Sequence, residues 1–553
     1  MAALATVRDR YTDDEIAHFY AQGFWRDETM FDLVERQADA TPDKVFIFDS
    51  TTKLTYRELR DQALSLALGL RRSGLHKGDR VAAQLPNWTE FVLVATALSR
   101  IGAILVPIMP IYRSDEVAYI LRHSGARAAV MAETFKDFSY LDMFKDLQRE
   151  SPDLEQLIVA RGSGKDGATP LETLLADSPP TSEIGAELGD RPSADDGFMI
   201  VYTSGTTSRP KGCFHTFNTL RASAEAIAHS LDYTNDDVQF GPSPITHSTG
   251  LITSCLLPLV RGGSSHLMEA WDPADGLRRI KAYRCTVTVT ATAFLQMLMG
   301  AYDPAQHDAS SVRYWVCAGS PIPSTVVHDA EKVLSGGRVL SLYGRSENML
   351  TTMCTGDDDP ERSATSDGSA LAGASVQIVD ADGNEVPRGQ EGDICYKGPS
   401  HMLEYFHDPE QTDVLFTPDG YSRSGDLGYM DEGGYVRVTG RLKDIVIRGG
   451  LNISARELEE LLVDHPAVSD VAVVGMPDER LGEKVCVYVV PAADTTITLD
   501  DIVGYLRERK LATPKLPERL ELVDSLPMTA TGKVQKHVLR DDISKKLGDL
   551  QQA

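Results

Sequence analysis

The densest group of chemically useful side chains is Tyr202-Thr203-Ser204-Gly205-Thr206-Thr207-Ser208-Arg209-Pro210-Lys211-Gly212. Hydroxyls and backbone N–H groups surround one glycine, and a lysine follows closely. That mixture suits phosphate oxygens: the N–H groups and hydroxyls donate, glycine allows close approach, and lysine supplies a point charge. It is not a Walker loop, because Pro210-Lys211 stands where a second glycine and then Lys-Ser/Thr are required. The alternative reading is a solvated Ser/Thr turn. Gly162-Ser163-Gly164-Lys165 is a second candidate phosphate loop, but it lacks the upstream glycine and lies among polar breakers. It is predicted to be a surface loop.

The elements that must position these groups alternate. Phe198 to Tyr202 is short, apolar and β-prone, a strand running into the hydroxyl-rich loop. Upstream, Thr55-x-x-Glu58 predicts a capped helix with Leu59, Ala63, Leu66 and Leu70 on one face and Gly74 as its stop. A strand over Asp79 to Leu85 follows, then a helix capped by Asn87-x-x-Glu90 that ends near Gly102. Ile104 to Ile108 and Ala128 to Met131 read as strands around a helix from Ser114 to His123. This alternation is the signature of βαβ units and a parallel, helix-covered sheet. From Gly373 to Thr439, short alternating runs joined by Asp-Gly and Gly-Gly turns predict a small β subdomain of antiparallel hairpins. After about Gly440, Ser454-x-x-Glu457 caps a helix through Leu462. Strands at Val471 to Val474 and Val485 to Val490, a helix from Leu499 to Arg509 and a strand near Leu520 to Val523 complete a compact α+β unit.

At 553 residues the chain is too long for one core. Its 42% hydrophobic and 25% charged content is ordinary for a soluble protein. A formal net charge of −26 argues against nucleic-acid or anionic-membrane partners, so a polyanionic ligand needs a local basic lining. The first twenty-five residues hold no apolar core of the signal-peptide kind, and no stretch approaches eighteen apolar residues. Seven scattered cysteines without C-x-x-C pairs read as buried free thiols in a cytoplasmic protein, with neither a disulfide framework nor a thiolate metal site.

Taken with the motifs downstream, the chain resembles the adenylate-forming superfamily of acyl-CoA synthetases, luciferases and peptide-synthetase adenylation domains. The likeness runs from about residue 30 to 540, with the motifs in family order. It implies an α/β fold: a large N-terminal domain of mixed and parallel helix-covered sheets over residues 1–440, with a β subdomain at about 373–440. A hinge at 441–444 and a small mobile α+β domain at 445–553 complete it. The loop residues Thr203, Ser204, Gly205, Thr206, Thr207 and Lys211 then hold ATP phosphates; Ser208 replaces the glycine usual there. Pro244-Ile245-Thr246-His247-Ser248-Thr249-Gly250 places His247 beside the carboxylate substrate and the nucleotide, although taken alone it reads equally as a structural histidine. Ser248 stands where amino-acid-activating relatives carry an aspartate for the substrate amine, which argues against an amino-acid substrate.

By the same resemblance Gly319 and Ser320, with Ser341, Leu342, Tyr343 and Gly344, sandwich adenine. Glu347, after Ser346 in place of the usual threonine, holds Mg²⁺, a hard cation suited to one carboxylate plus phosphate oxygens. Asp426 of Ser424-Gly425-Asp426 accepts the ribose hydroxyls, and Arg441 serves the ribose and phosphate region. Lys443 is the hinge, Arg448-Gly449-Gly450 forms the CoA channel, and Lys533 bridges the carboxylate and α-phosphate. The acyl pocket is expected around Phe240, His247, Leu251, Ala318, Asn348 and Met353, which offer no partner for an amine.

These positions imply an ATP-dependent carboxylate–CoA ligase that uses Mg²⁺ and CoA, with catalytic Lys533, His247 and Glu347. Segments 106–113 and 212–218 look similar to cyclohexanecarboxylate–CoA ligases, so an apolar alicyclic or medium-chain acid is expected. The alternatives are transfer to a carrier-protein pantetheine, a non-catalytic nucleotide-binding regulator, and a luciferase-like oxygenase.

Overall fold

The computed structural model describes the chain except residues 1–3, 177–180, 204–208, 320–321, 530–533 and 553, and except the side chains of 181–182, 452 and 548–552. The described residues divide into two compact units. The larger comprises residues 4–203, 210–375 and 397–416; the smaller comprises 376–396 and the chain from 417 onward. The hairpin-rich stretch after Gly373 therefore clusters largely with the C-terminal part of the chain.

Two eight-stranded sheets build the larger unit. In the first, six parallel strands lie in the order Arg338–Tyr343, Tyr314–Ala318, Val287–Thr290, Val238–Gly241, Ser264–Leu267 and Val45–Phe48. Antiparallel Thr352–Met353 and Lys53–Thr55 close its two edges. The second sheet is parallel through Gly197–Tyr202, Ile104–Pro107, Arg80–Gln84, Ala128–Ala132 and Gln156–Ala160. Its other end is antiparallel, with Gly212–Thr216 beside Gly197–Tyr202 and Glu404–Tyr405 beyond.

One hydrophobic core unites both sheets with the helices Met30–Ala40, Tyr56–Arg72, Thr89–Ile101 and Phe217–Ser230. The helix Thr89–Ile101 is buried at every position but Glu90. Such burial explains its near-continuous apolar sequence, since a helix apolar all round belongs inside. The capping box at Thr55 and Glu58 forms as expected, with Leu59, Ala63, Leu66 and Leu70 all buried.

The Asn87 cap is a correction. Trp88 occupies the N-cap, and the Thr89 N–H is taken instead by Asp49 Oδ2 at 3.1 Å. The Asn87 side chain is used elsewhere, as described below. Gly162-Ser163-Gly164-Lys165 is a loop whose Ser163 N–H donates to Glu133 Oε2 at 2.6 Å, so a carboxylate already takes the N–H that a phosphate would need.

In the smaller unit a four-stranded sheet runs Ser375–Val379, Gly392–Lys397, Ser422–Met430, Val436–Arg441, its last three strands antiparallel. The C-terminal part carries a five-stranded sheet centred on the long pair Val468–Asp478 and Gly482–Pro491. Val473, Val485, Val487 and Val489 face a core with the helices Ala455–Leu462 and Leu499–Glu508. The alternate residues Ala472, Val474, Cys486 and Tyr488 face Leu539 and Ile543 of a final helix, Lys536–Gln552. Ser454 caps its helix as expected, its Oγ accepting from the Glu457 N–H at 3.3 Å. The Glu457 carboxylate does not close the box; it pairs with Lys515 at 2.6 Å. All seven cysteines are buried and form no disulfide, and burial pushes the Cys255, Cys285, Cys317 and Cys486 thiols up to about 12.

Candidate functional site

The hydroxyl-rich loop joins two neighbouring antiparallel strands, with Tyr202 opposite Gly212. Its base is fastened twice: the Thr203 N–H donates to the Lys211 carbonyl at 2.9 Å, and the Lys211 N–H to Thr203 Oγ1 at 3.2 Å. This is a hairpin connection rather than the strand-to-helix turn of a Walker loop. Ser204, Gly205, Thr206, Thr207 and Ser208, like Ser320 and Lys533, lie outside the described residues.

In the first sheet the carboxyl ends of the parallel strands gather several predicted positions, as expected for a ligand crevice in an α/β protein. Ala318 pairs in register with Leu342, and Cys317 with Ser341, so Gly319 and Gly344 leave adjacent strands at the same end. Gly319 is at φ +79°, which favours glycine. A Cβ on Gly344 would lie 2.1 Å from the Met349 carbonyl, so the turn from Tyr343 to Met349 closes only without a side chain there. Asn348 is buried in that turn, its Nδ2 donating to Thr351 Oγ1 at 3.0 Å.

His247 ends the loop after Val238–Gly241 and caps the short helix Ser248–Leu251, its Nδ1 accepting from the Thr249 N–H at 3.3 Å. A Cβ on Gly250 would lie 2.1 Å from the Pro244 carbonyl, which explains the glycine three residues after the histidine. Asn87 fastens this loop. Its Nδ2 donates to the carbonyls of Gly241, Ser243 and Met268 at 2.9–3.2 Å, and its Oδ1 accepts from the Ile245 N–H at 2.8 Å. Of the expected acyl-pocket residues, Leu251, Ala318 and Met353 belong to the main core. Phe240 points through the opposite face of its sheet into a second core with Trp271 and Leu277, and is not brought together with them.

Glu347 is half-buried, and its Oε1 accepts from the Tyr405 hydroxyl at 2.6 Å. Burial, then the Glu347 charge, raises the Tyr405 hydroxyl pKa far above its ordinary value, so it remains a donor. The Lys211 ammonium lies 4.7 Å above the Tyr405 ring and donates to Gln411 Oε1 at 2.6 Å. Behind Glu347, the fully buried His215 contacts the Ser346 carbonyl through Nε2 at 2.8 Å and Thr219 Oγ1 through Nδ1 at 3.0 Å. Burial lowers its pKa to about 4, so the ring is neutral, and the carbonyl partner places its proton on Nε2. Among the described residues no cluster of three His, Cys, Asp or Glu side chains could hold a metal alone. A single half-buried carboxylate fits Mg²⁺ bound chiefly through phosphate oxygens, and does not fit a resident protein-caged ion.

In the smaller unit, Asp426 and Arg441 lie opposite each other on adjacent antiparallel strands and form an ion pair at 2.9 Å. Lys443 sits in the short helical turn Leu442–Asp444 directly after, and burial lowers its pKa. Arg540 braces this turn, donating to Asp444 Oδ1 at 3.0 Å and to the Lys443 carbonyl at 3.3 Å. Gly449 and Gly450 form a two-residue hairpin turn at φ +59° and +86°, a backbone that favours two glycines. Arg448 beside them pairs with Glu518 at 2.7 Å.

In the larger unit the small-residue segments leave adjacent strand ends and Glu347 and Lys211 both touch Tyr405; in the smaller unit Asp426 and Arg441 pair across neighbouring strands. Residues 34–406 match the AMP-binding enzyme family, and residues 457–533 match the AMP-binding enzyme C-terminal domain. The chain belongs to the AMP-binding enzyme family. It is 34% identical to the medium-chain fatty-acid–CoA ligase of Escherichia coli (strain K12), over 97% of this chain and 94% of that one. It is 31% identical to the 2,3-dihydroxybenzoate–AMP ligase of Bacillus subtilis (strain 168), over 97% of each chain. The crystal structure of ATP-bound MatB from Rhodopseudomonas palustris superposes with a TM-score of 0.83 at 30% identity, covering 93% of this chain and 98% of that one.

Asn87, His215, Tyr405 and Gln411 escaped sequence reasoning as site residues. Asn87 carried a signal that was misread, since an Asn ahead of a helix ordinarily caps it. Tyr405 and Gln411 carried none, because their partners lie 58 and 200 residues away.

Proposed function

We propose that the chain is an AMP-forming acid–thiol ligase that activates an apolar carboxylic acid with MgATP and passes the acyl group to CoA. The observation that supports this reading is the Glu347–Tyr405–Lys211 chain, in which one tyrosine contacts both the carboxylate read as the Mg²⁺ ligand and the lysine read as the phosphate cation. The carboxylate substrate attacks the α-phosphorus, giving acyl-adenylate and pyrophosphate. The protein's part is alignment and charge stabilisation. Lys211 and the loop donors hold phosphate oxygens, Glu347 holds the metal, Asp426 and Arg441 the ribose, and Lys533 the reacting oxygens. In the second half-reaction the CoA thiol attacks the mixed anhydride and AMP leaves. Residues 441–444 act as the hinge between a large adenylation domain and a small one, so that Lys533 serves the first step and the Gly449-Gly450 turn the second.

The acid is a medium-chain or alicyclic one. Leu251, Ala318 and Met353 are apolar, and Ser248 offers no charge to an amine. A second reading, transfer to a carrier-protein pantetheine, draws on the likeness to an aryl–AMP ligase. Pyrophosphate exchange over a panel of medium-chain, alicyclic and aryl acids, with AMP and thioester read together on adding CoA or a pantetheinylated carrier protein, tests both. Exchange without thioester on CoA overturns the first reading; no exchange with any acid overturns the adenylation itself.

A further inference from the structure

The segment 399–416 carries both Tyr405, which donates to Glu347, and Gln411, which accepts from Lys211. Its inner edge is held by the strand Gly212–Thr216: the Leu403 N–H donates to Phe214 O at 2.7 Å, and the Phe406 N–H to Gly212 O at 2.7 Å. Its outer side is held by the beginning of the chain. Trp25 Nε1 donates to the Pro399 carbonyl at 2.9 Å, Tyr11 Oη to His401 O at 2.9 Å, and Arg10 Nε to Leu403 O at 3.0 Å. The Arg10 guanidinium also stacks 3.5 Å from the Phe416 ring, and Lys397 pairs with Glu15 at 3.0 Å. Tyr11 and Trp25 are buried and packed edge-on, their centroids 4.9 Å apart, so these donors cannot be redirected without opening the core. The contacts bracket Tyr405 on both sides, at 399–403 and at 416.

We propose that Tyr405 is a positioning residue for Glu347, and that the N-terminal segment Thr6–Trp25 holds Tyr405 in register for that task. A carboxylate on a turn has a free χ3 rotation; a short hydrogen bond to one oxygen fixes the plane and leaves the other oxygen aimed at its ligand. Tyr405 touches both charges: its hydroxyl donates to Glu347 at 2.6 Å and its ring lies 4.7 Å from the Lys211 ammonium. The inference rests on the reading of Glu347 as the Mg²⁺ carboxylate.

The test measures ATP binding by calorimetry on the full-length protein, with Mg²⁺ and with EDTA, and takes the ratio of the two Kd values. Glu347→Gln is the reference. If it leaves the wild-type ratio, the metal reading fails, and this inference with it. If Glu347→Gln collapses the ratio, Tyr405→Phe is expected to lower it about tenfold, the size of one hydrogen bond to a charge. Arg10→Ala and Tyr11→Phe are expected to lower it about threefold, because they loosen Tyr405 without removing its hydroxyl. A Tyr405→Phe ratio within twofold of wild type overturns the proposal, even if its melting temperature falls. That combination would mark Tyr405 as structural only. If Tyr405→Phe does not fold, the two N-terminal variants decide: a lowered ratio supports the proposal and an unchanged ratio overturns it.

Discussion

Asp426 and Arg441 face each other across one antiparallel strand pair, Arg441 Nε 2.9 Å from Asp426 Oδ1, although fifteen residues separate them in sequence. A carboxylate has about four lone-pair sites, enough to accept from a guanidinium and from vicinal hydroxyls together. Asp426→Asn is therefore expected to lose ribose discrimination rather than nucleotide binding as a whole. Wild type should prefer ATP over 2′-deoxy-ATP by at least about tenfold in kcat/KM, and the variant should approach parity. An undiminished preference in the variant overturns the ribose assignment.

Ser248, nearly buried at the first position of the helix that His247 caps, brings no charge to the place where an amine would need one. Glycine, β-alanine and lysine should not drive pyrophosphate exchange, whereas octanoic and cyclohexanecarboxylic acids should. Vigorous exchange with any of the amino acids contradicts the substrate reading.

Lys533 and Lys443 should separate the two half-reactions. Negative charge develops between carboxylate and α-phosphate only in the first step, so Lys533→Ala should lose adenylation by on the order of a hundredfold or more. It should still convert supplied acyl-adenylate and CoA to thioester. Lys443→Pro fixes φ in the Leu442–Asp444 turn and opposes rotation there. That variant should release pyrophosphate in a single turnover yet form little acyl-CoA. Loss of the same half-reaction in both variants shows that one conformation serves both steps.

His215 links stability to pH. Its folded pKa of about 4 lies below the ordinary value of 6.5 because burial disfavours the cation. Between pH 6.5 and 4 the unfolded chain binds the proton that the folded chain refuses, so stability falls as pH falls through that window. His266, lowered to about 4 by burial and then by the Arg279 charge, adds to the same slope. Thermal unfolding of His215→Gln, whose amide can still donate to the Ser346 carbonyl, should show a shallower decline across this range than wild type. An identical slope removes His215 from the account.

Much of this protein is legible in its sequence because periodicity and capping are local. The helix after Thr55, the parallel strands at Arg80–Gln84 and Ala128–Ala132, and the long pair near Val473 and Val487 follow from patterns within a few residues. The strand Ser422–Met430 was not, because Ser-Arg-Ser-Gly-Asp reads as a loop until its neighbours supply the hydrogen bonds. The final helix Lys536–Gln552 had a visible signal, apolar residues at 539, 543 and 547, and a second one in the apolar residues of both parities along Val471–Met476, which require a cover on each side. Asn87 was misread because its sequence neighbours suggested a helix cap, while its four hydrogen bonds reach across to residues 241–268. The motifs singled out Glu347, Asp426 and Arg441 as candidates; the tyrosine that donates to Glu347 could only be seen in three dimensions.

The seven interior thiols give the molecule a silent exterior toward maleimides and other soft electrophiles. A single cysteine introduced on an exposed position of each compact unit, Asp146 and Glu508 for example, would then carry a donor and an acceptor dye without background labelling. The distance between such dyes, followed through ATP, acid and thiol addition, tests by spectroscopy whether the proposed turn at 441–444 rotates, on the otherwise unaltered chain.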